Sequence, residues 1–193
     1  MAVKKTLAQI RQAVHVANAF GRVTEALITL IKTEVTGVES VFVFSSGVDN
    51  YEAVIDGGAD ADIGNLLWAC SEAGIIFTGT ASVVVEGETV YFTRPVPVAV
   101  DVEVTIAPYG GEQLPTNYEA LITAAIQGYA ATLKIGQGIL IDTWKGLVYS
   151  ACSGIDTVTI RQKKGSGDWQ TDDIAMAYNE RPVNPVDVTV ILA

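Results

Sequence analysis

One short acidic segment has the residue types and spacing that most resemble a site for chemistry. The segment Asp56-Gly57-Gly58-Ala59-Asp60-Ala61-Asp62 places three carboxylates close together, and carboxylate oxygens are the ligands that calcium prefers. An EF-hand loop ends with a glutamate at its twelfth position, which in this chain is Leu67. A two-glycine turn followed by acids at a helix N-terminus explains every residue of the segment. We therefore expect no metal site there.

The other reactive side chains lack the context that catalysis requires. The single histidine, His15, lies on the first predicted helix, where we expect a surface residue. No serine or cysteine has the flanking residues that a nucleophilic site using this histidine would require. Cys70 and Cys152 fall on apolar helix faces, which favours buried thiols over a disulfide. The segment Lys163–Gly167 does not have the Walker pattern and is interpreted as a solvated hairpin tip. We expect no catalytic residue, no cofactor and no enzymatic activity.

Composition and charge exclude some partners and favour others. The chain has 12 basic and 22 acidic residues, a net charge of −10, which disfavours nucleic acid and anionic lipid. No window reaches the ~18 apolar residues of a membrane span, and no signal-peptide core follows the basic N-terminus, so we expect synthesis and retention in a cytoplasm. Hydrophobic residues make up 49% and charged residues 18% of the sequence. This excess favours a surface partly covered by other subunits, or else a well-filled core.

Two helix-to-strand corners organise the predicted elements. A helical pattern over Thr24–Glu34 ends at Gly37 and is followed by strand Val38–Phe44. A second, over 139–151, ends at Gly154 and is followed by strand Ile155–Gln162. Glycine accepts the left-handed conformation of a helix C-terminus without steric cost, so each strand is predicted to pack back on its helix.

The remaining pattern predicts an α+β fold of two small mixed subdomains with short sheets packed by helices. Residues 22–95 form the first subdomain, with a hairpin at Ala81–Val85 and Thr89–Thr93. Residues 96–193 form the second, which begins with a single alternating strand over Val96–Ile106 and ends with strand Val186–Leu192.

A narrow apolar stripe follows the N-terminal helix predicted within residues 1–21. The helix could lie on its own domain or reach a neighbouring chain, and we predict an inter-subunit contact. Charged substitutions at Ile10 and Val14 would then block assembly while leaving the domain folded. The residues of this predicted interface are Leu7, Ile10, Val14, Ala17 and Phe20.

Several short segments occur in an order that resembles a known protein family. The segments are Val35-Thr36-Gly37-Val38-Glu39-Ser40-Val41, Ala53-Val54-Ile55-Asp56-Gly57-Gly58-Ala59-Asp60, Ala73-Gly74-Ile75 with Gly79, Val90-Tyr91-Phe92-Thr93-Arg94-Pro95, Val100-Asp101-Val102, Leu147-Val148-Tyr149-Ser150, Gly154-Ile155-Asp156-Thr157-Val158 and Asp173-Ile174-Ala175. Over about residues 22–192 the series resembles the C-terminal two-thirds of the baseplate J-like family, structural wedge proteins of contractile phage tails and related injection machines. Thr36 stands where the family commonly has proline. Longer members have a further N-terminal region; here one short helix stands in its place, which fits either a short member of the family or a piece of a longer one.

The resemblance implies a structural subunit of a tail baseplate. Such a subunit forms the wedge and inter-wedge ring around the tail tube and rearranges on host contact. Its implied partners are other baseplate wedge proteins and copies of itself, with tail tube or sheath proteins as further neighbours, and its implied location is the virion, after synthesis in the host bacterial cytoplasm. The family has no catalytic residues to transfer.

Two other classes of function remain as alternatives. A carbohydrate- or receptor-binding module would need exposed aromatic residues clustered on one face, for which Tyr109, Trp169 and Tyr178 are the candidates. A hydrolase would need a distinguished pair of carboxylates, and none stands out among the many acids. The hydrolase is the weakest of the three hypotheses.

Overall fold

The computed structural model describes residues 5–19, 23–110, 112–183 and 186–193, and it shows an α+β fold that begins with a helix. Within those ranges the helices are α1 (Leu7–Ala19), α2 (Val23–Glu34), α3 (Asp60–Ser71), α4 (Tyr118–Ala130) and α5 (Ile141–Ala151). The strands are β1 (Val38–Gly47), β2 (Asn50–Gly57), β3 (Ile76–Thr78), β4 (Ala81–Val85), β5 (Glu88–Phe92), β6 (Val96–Val98), β7 (Val100–Pro108), β8 (Ile155–Lys164), β9 (Glu180–Pro182) and β10 (Asp187–Leu192). The chain divides into two compact units, Met1–Pro95 and Val96–Ala193.

The first unit packs three helices on short sheets. After α2 the chain turns at Gly37, whose φ is +81°, and enters β1. Strand β1 pairs with β2 antiparallel, β3 joins β2 in parallel, and β4 and β5 form a separate hairpin. Helices and strands bury one continuous apolar cluster, whose fully enclosed side chains include Leu27, Ile31 and Phe92.

The second unit is built on a three-stranded sheet of order β10-β7-β8. Strands β7 and β8 are antiparallel, whereas β10 is parallel to β7. Helices α4 and α5 pack together, α4 contacting β10 and α5 contacting β8, and α5 reaches β8 through a corner at Gly154, whose φ is +85°. The core centres on Trp144, which is completely buried and meets the ring of Tyr129 edge-on at 5.4 Å.

The prediction of one long strand over Val96–Ile106 is wrong. Ala99 separates β6, which pairs in parallel with β9, from β7, which belongs to the three-stranded sheet. The carbonyl of Ala99 accepts a hydrogen bond from the Gly165 N–H at 2.8 Å. Alternation continues through the change of sheet because both strands keep the extended backbone, so side-chain pattern alone does not reveal the change of partner.

The N-terminal helix belongs to the first unit and packs on α2 and α3. Ile10 and Val14 are 5% and 0% exposed within the unit's own core, and Ala17 is also buried. The structure thus covers these three side chains with the chain's own helices, so a charge at Ile10 or Val14 would disrupt the fold rather than act selectively on assembly. Leu7 is 47% exposed, and Phe20 lies outside the described residues.

Candidate functional site

Three chain turns of the first unit meet at a cluster that we call the glycine–arginine junction: Gly37, Gly57, Gly58, Asp60 and Arg94. Gly37 follows α2, Gly57 is the last residue of β2 and Gly58 follows it, and Arg94 follows β5. All three glycines have positive φ, between +71° and +81°. Each member therefore lies where a regular element has just ended or is about to begin, and the junction ties those ends together.

Close backbone approach explains why glycine occupies the junction. The Gly58 N–H donates a hydrogen bond of 2.9 Å to the carbonyl oxygen of Gly37. A Cβ added at Gly57 would lie 2.2 Å from that same oxygen. At Gly58 an added Cβ would lie 2.9 Å from the side chains of Val35 and Val38. Side chains at these positions would force the two turns apart, in addition to the strain of positive φ.

Arg94 holds the junction by donating to backbone oxygens. Its guanidinium reaches the carbonyl oxygens of Ile55 at 3.0 Å, Gly57 at 2.6 Å and Gly58 at 2.8 Å, and it pairs with the carboxylate of Asp60. The planar guanidinium carries several fixed donors and stays protonated, so it suits such a fan of acceptors. Its cationic carbon also lies 5.2 Å from the centre of the Phe92 ring.

The segment before Arg94 is bound to β2 by a further set of hydrogen bonds. Thr93 exchanges backbone hydrogen bonds with Ala53 and Ile55, each 2.9 Å, and its hydroxyl donates to Glu52 at 2.5 Å. A Cβ added at Gly79 would lie 2.2 Å from the carbonyl oxygen of Phe92. Four segments that are far apart in sequence, around residues 37, 57, 79 and 94, are thus packed backbone to backbone.

The acidic segment of the sequence is part of this junction. The carboxylate of Asp60 pairs with Arg94, and both Asp60 and Asp62 lie in the first turn of α3. Across the described residues there is no group of three His, Cys, Asp or Glu side chains arranged to hold a metal ion. The junction therefore combines a guanidinium, one carboxylate and hydrogen-bonded carbonyl oxygens, an arrangement that positions backbone segments.

None of the predicted reactive side chains is a member of the junction. His15 is exposed on α1. Cys70 and Cys152 are buried and free, and burial raises the pKa of both thiols, that of Cys70 to about 12. A thiol with so high a pKa stays protonated at neutral pH and is a poor nucleophile.

The basic pair predicted at a solvated hairpin tip is bound in ion pairs instead. Lys163 reaches Asp101 across the β7–β8 ladder at 2.8 Å. Lys164 reaches Glu180 at 2.5 Å, and hydrogen bonds from Lys164 and from the Ala177 N–H lower the pKa of the Glu180 carboxyl. The ends of β7, β8 and β9 are thus joined by side chains.

The exposed aromatic residues of the second unit do not form one platform. Trp169, 38% exposed, lies against Arg161 and Lys163 at 5.1 and 5.0 Å, at the end of the ladder where Val100 pairs with Lys164. Tyr109 lies beyond the opposite end, where Pro108 pairs with Ile155, and eight strand positions separate those ends by roughly 26 Å. The arrangement does not favour a shared sugar-binding face for these two rings.

The first unit has a groove between α1 and α2, with a volume of about 720 Å³. Small and branched apolar side chains make up most of its lining, together with Lys5, Glu25 and Thr29. Its lining, which we call the α1–α2 groove, consists of Lys5, Ala13, Val16, Ala17, Glu25, Ala26, Thr29 and Leu30.

No protein-family model matches the chain, and no match was found among curated proteins. Among the described residues, no helix has both the length and the apolar character needed to cross a membrane.

Proposed function

We propose that this chain is a non-enzymatic structural subunit of a phage or phage-like tail baseplate, contributing to the wedge or inter-wedge ring around the tail tube. The observation that supports this is the glycine–arginine junction. Three sequence segments that carry the family resemblance, around Gly37, Gly57 and Arg94, are in direct contact there, and Gly79 of a fourth lies against the backbone of Phe92, two residues before Arg94. Residues that are distant along a chain but together specify one packing arrangement are expected to recur together in the members of a protein family.

The chemistry of the junction agrees with a mechanical role. Its permanent positive charge is used by three carbonyl oxygens and one carboxylate, and its glycines allow backbone contact. Such an arrangement fixes the directions in which α2, β1 and α3 leave the turn. A fixed corner of this kind is useful in a subunit whose purpose is to present surfaces to neighbours at defined angles.

The proposed partners follow from the same role. They are other wedge proteins of the baseplate and copies of this chain, with tail tube or sheath proteins as additional neighbours. The proposed location is the assembled tail, after synthesis in the host bacterial cytoplasm. No cofactor takes part in this function.

A localisation experiment tests the proposal directly. Tails would be purified from cells that produce the particles, analysed by mass spectrometry, and labelled with an antibody against the chain for electron microscopy. We expect the chain in stoichiometric amounts, with label at the end of the tail tube. Deleting the gene should remove assembled baseplates, and the wild-type gene should restore them. A chain missing from purified tails, or a deletion that leaves normal baseplates, would refute the proposal.

A further inference from the structure

Strand β10 forms one edge of the three-stranded sheet in the second unit, and hydrogen bonds show which of its groups face outward. Ala193, directly after the strand, donates its N–H to the carbonyl oxygen of Ile106 on β7 at 2.9 Å. Backbone groups alternate in direction along a strand, so the odd-numbered residues of β10 bond to β7. The even-numbered residues, Val188, Val190 and Leu192, therefore direct their N–H and C=O groups away from the sheet.

A contact from α4 agrees with this direction. The side-chain amide of Gln127 donates to the carbonyl oxygen of Val186, two residues before Val188, at 3.2 Å. In the described parts of the chain, no strand pairs with the outer side of β10. A row of unpaired N–H and C=O groups at a sheet edge is a template for one further strand.

The other strands at the edges of sheets in the second unit have features that hinder strand addition. On the outer side of β8, Gln162 exchanges two backbone hydrogen bonds of 2.8 Å with Gln170. Strands β6 and β9 contain Pro97 and Pro182, and proline removes a donor from an edge. Strand β10 contains neither proline nor a basic residue, and its single charged residue, Asp187, is its first. Its edge is therefore open to pairing.

We propose that β10 of one copy of this chain pairs antiparallel with β10 of a second copy, across a two-fold axis at Thr189. Val188 of each copy then exchanges both backbone hydrogen bonds with Val190 of the other, and Leu192 lies opposite Val186. A register centred on Thr189 is the one that brings all of these outward-facing residues into pairs. The two three-stranded sheets become one continuous sheet. The inference deepens the proposed function and rests on it, since copies of this chain are among the proposed partners.

Side chains and charges along β10 match a second copy of the same strand. Val188 lies opposite Val190, and such β-branched pairs across strands are favourable. Asp187 lies opposite Ile191, which is 40% exposed, and not opposite another acid. The two copies of Asp187 are then roughly 13 Å apart along the strands, which exceeds the screening length of about 8 Å at physiological salt. Like charges therefore do not oppose this pairing, whatever the net charge of each copy.

Helix α4 leaves room for the second copy beside the edge. The hydrogen bond from Gln127 places one flank of α4 next to the outer side of β10. Thr123 and Ala120, four and seven residues earlier, lie on that same flank and are small. Small side chains at a contact allow two helices to approach to roughly 8 Å, so the α4 helices of two copies can lie side by side above the joined strands.

A disulfide across the two-fold axis tests the pairing and its register. The strand edge covers less area than a standard interface of ~800 Å² per partner, so the contact is weak and a covalent link is needed to accumulate it. In full-length Thr189→Cys the two Cα atoms would be about 4.5 Å apart, within the range for a disulfide. Thr159→Cys is the matched control, because Thr159 is an exposed threonine on the same face of the sheet, on β8.

Both variants are oxidised gently, and covalent dimers are followed by intact mass. Thr189→Cys should form dimers at least about tenfold faster than Thr159→Cys. Cys70 and Cys152 are buried and should stay reduced.

Charge variants in the Thr189→Cys chain test which residues face each other. Ile191→Glu places an acid beside Asp187 of the second copy, so it should slow the formation of dimers. Adding Asp187→Lys to that chain should restore the rate. Thr157→Glu gives the same net charge as Ile191→Glu and should have no effect, because Thr157 is exposed on β8, away from the axis. Circular dichroism verifies the fold of every variant.

Hydrogen exchange by NMR tests the pairing in the wild-type chain. The N–H groups of Thr189 and Ile191 are held by β7 and should be protected at every protein concentration, whereas those of Val188 and Val190 should gain protection as the concentration rises. Equal rates of dimer formation for the two cysteine variants, no recovery with Asp187→Lys, or exchange at Val188 and Val190 that is independent of concentration would overturn the inference.

The outcome is separable from that of the proposed function. Tails that contain Thr189→Cys without its disulfide dimer after oxidation refute the strand pairing alone. A chain that forms the dimer in solution but is absent from tails refutes the baseplate role alone.

Discussion

Replacing Arg94 tests whether the glycine–arginine junction stabilises the first unit. Arg94→Met keeps an unbranched apolar stem but removes the guanidinium and with it three hydrogen bonds to carbonyl oxygens, at 2.6 to 3.0 Å. Hydrogen bonds to charged groups contribute ~1.5–3 kcal/mol each, and we take about 1 kcal/mol because the Arg94 side chain is 33% exposed. The pair with Asp60 adds at most about 1 kcal/mol, since that carboxylate is 62% exposed. The expected loss in unfolding free energy is therefore about 3 kcal/mol.

Hydrogen exchange followed by mass spectrometry measures this loss separately in each unit. Peptides from β1 and β2 should exchange about a hundredfold faster in Arg94→Met, whereas peptides from β7 and β8 serve as an internal control. Arg94→Lys keeps the charge but has no planar fan of donors, so it should show most of the loss. Asp60→Asn should cost less than about 1 kcal/mol. Wild-type exchange in Arg94→Lys, or a loss in Asp60→Asn equal to that in Arg94→Met, would refute the reasoning.

Three further predictions concern single positions. Gly57→Ala should lower the unfolding free energy of the first unit by more than about 4 kcal/mol, because its Cβ meets a backbone oxygen. Gly87→Ala, at φ +86° in open space, should lower it by only about 1 kcal/mol. Equal midpoints of urea unfolding for these two variants would contradict this. Gln162→Leu removes the acceptor of the buried Trp144 indole N–H, a hydrogen bond of 2.9 Å. It should lower the unfolding free energy of the second unit by about 2–4 kcal/mol, measured by urea unfolding followed by tryptophan fluorescence. Unchanged stability would argue against that hydrogen bond. The pKa of Glu180 is lowered from 4.5 in the folded chain, so the ionised carboxylate stabilises the fold above pH 4.5 and this stabilisation is lost as pH falls through the lower folded pKa. The difference in unfolding free energy between wild type and Glu180→Gln should therefore shrink between pH 7 and pH 3. A difference that stays constant over this range would contradict the lowered pKa.

The helix-to-strand corners were predictable because their signals are local. A helical run followed by glycine and then by alternating residues predicts the corners at Gly37 and Gly154, and both have positive φ in the structure. The same holds for the β4–β5 hairpin and for the helix after the acidic segment. In each case neighbours within a few residues decide the backbone conformation, so the pattern carries the information.

The role of Arg94 could not be derived from local pattern. Its acceptors, from Ile55 to Gly58, lie more than 30 residues earlier in the chain, and nothing in its own neighbourhood specifies them. The only sequence signal was its place in a segment that resembles a family motif. Gln162 is similar: alternation places it on the same face of β8 as the buried Ile160, but nothing local names the partners of its amide. Those partners are distant in sequence: the Trp144 indole N–H donates to its Oε1, and its amide N–H donates to the carbonyl oxygen of Asp172.

Short-range sequence was therefore sufficient for the α+β class, for most helices and strands, and for the glycine corners. Tertiary packing decided which surface covers the α1 stripe, since Ile10 and Val14 pack against their own unit although the same stripe suits a neighbouring chain. It also decided where β6 ends and β7 begins, because that depends on which distant strand supplies the hydrogen bonds. The physical reason is the same in both cases. The periodicity of apolar residues predicts which face of an element is buried, but it does not identify the element that packs on that face, which long-range contacts determine.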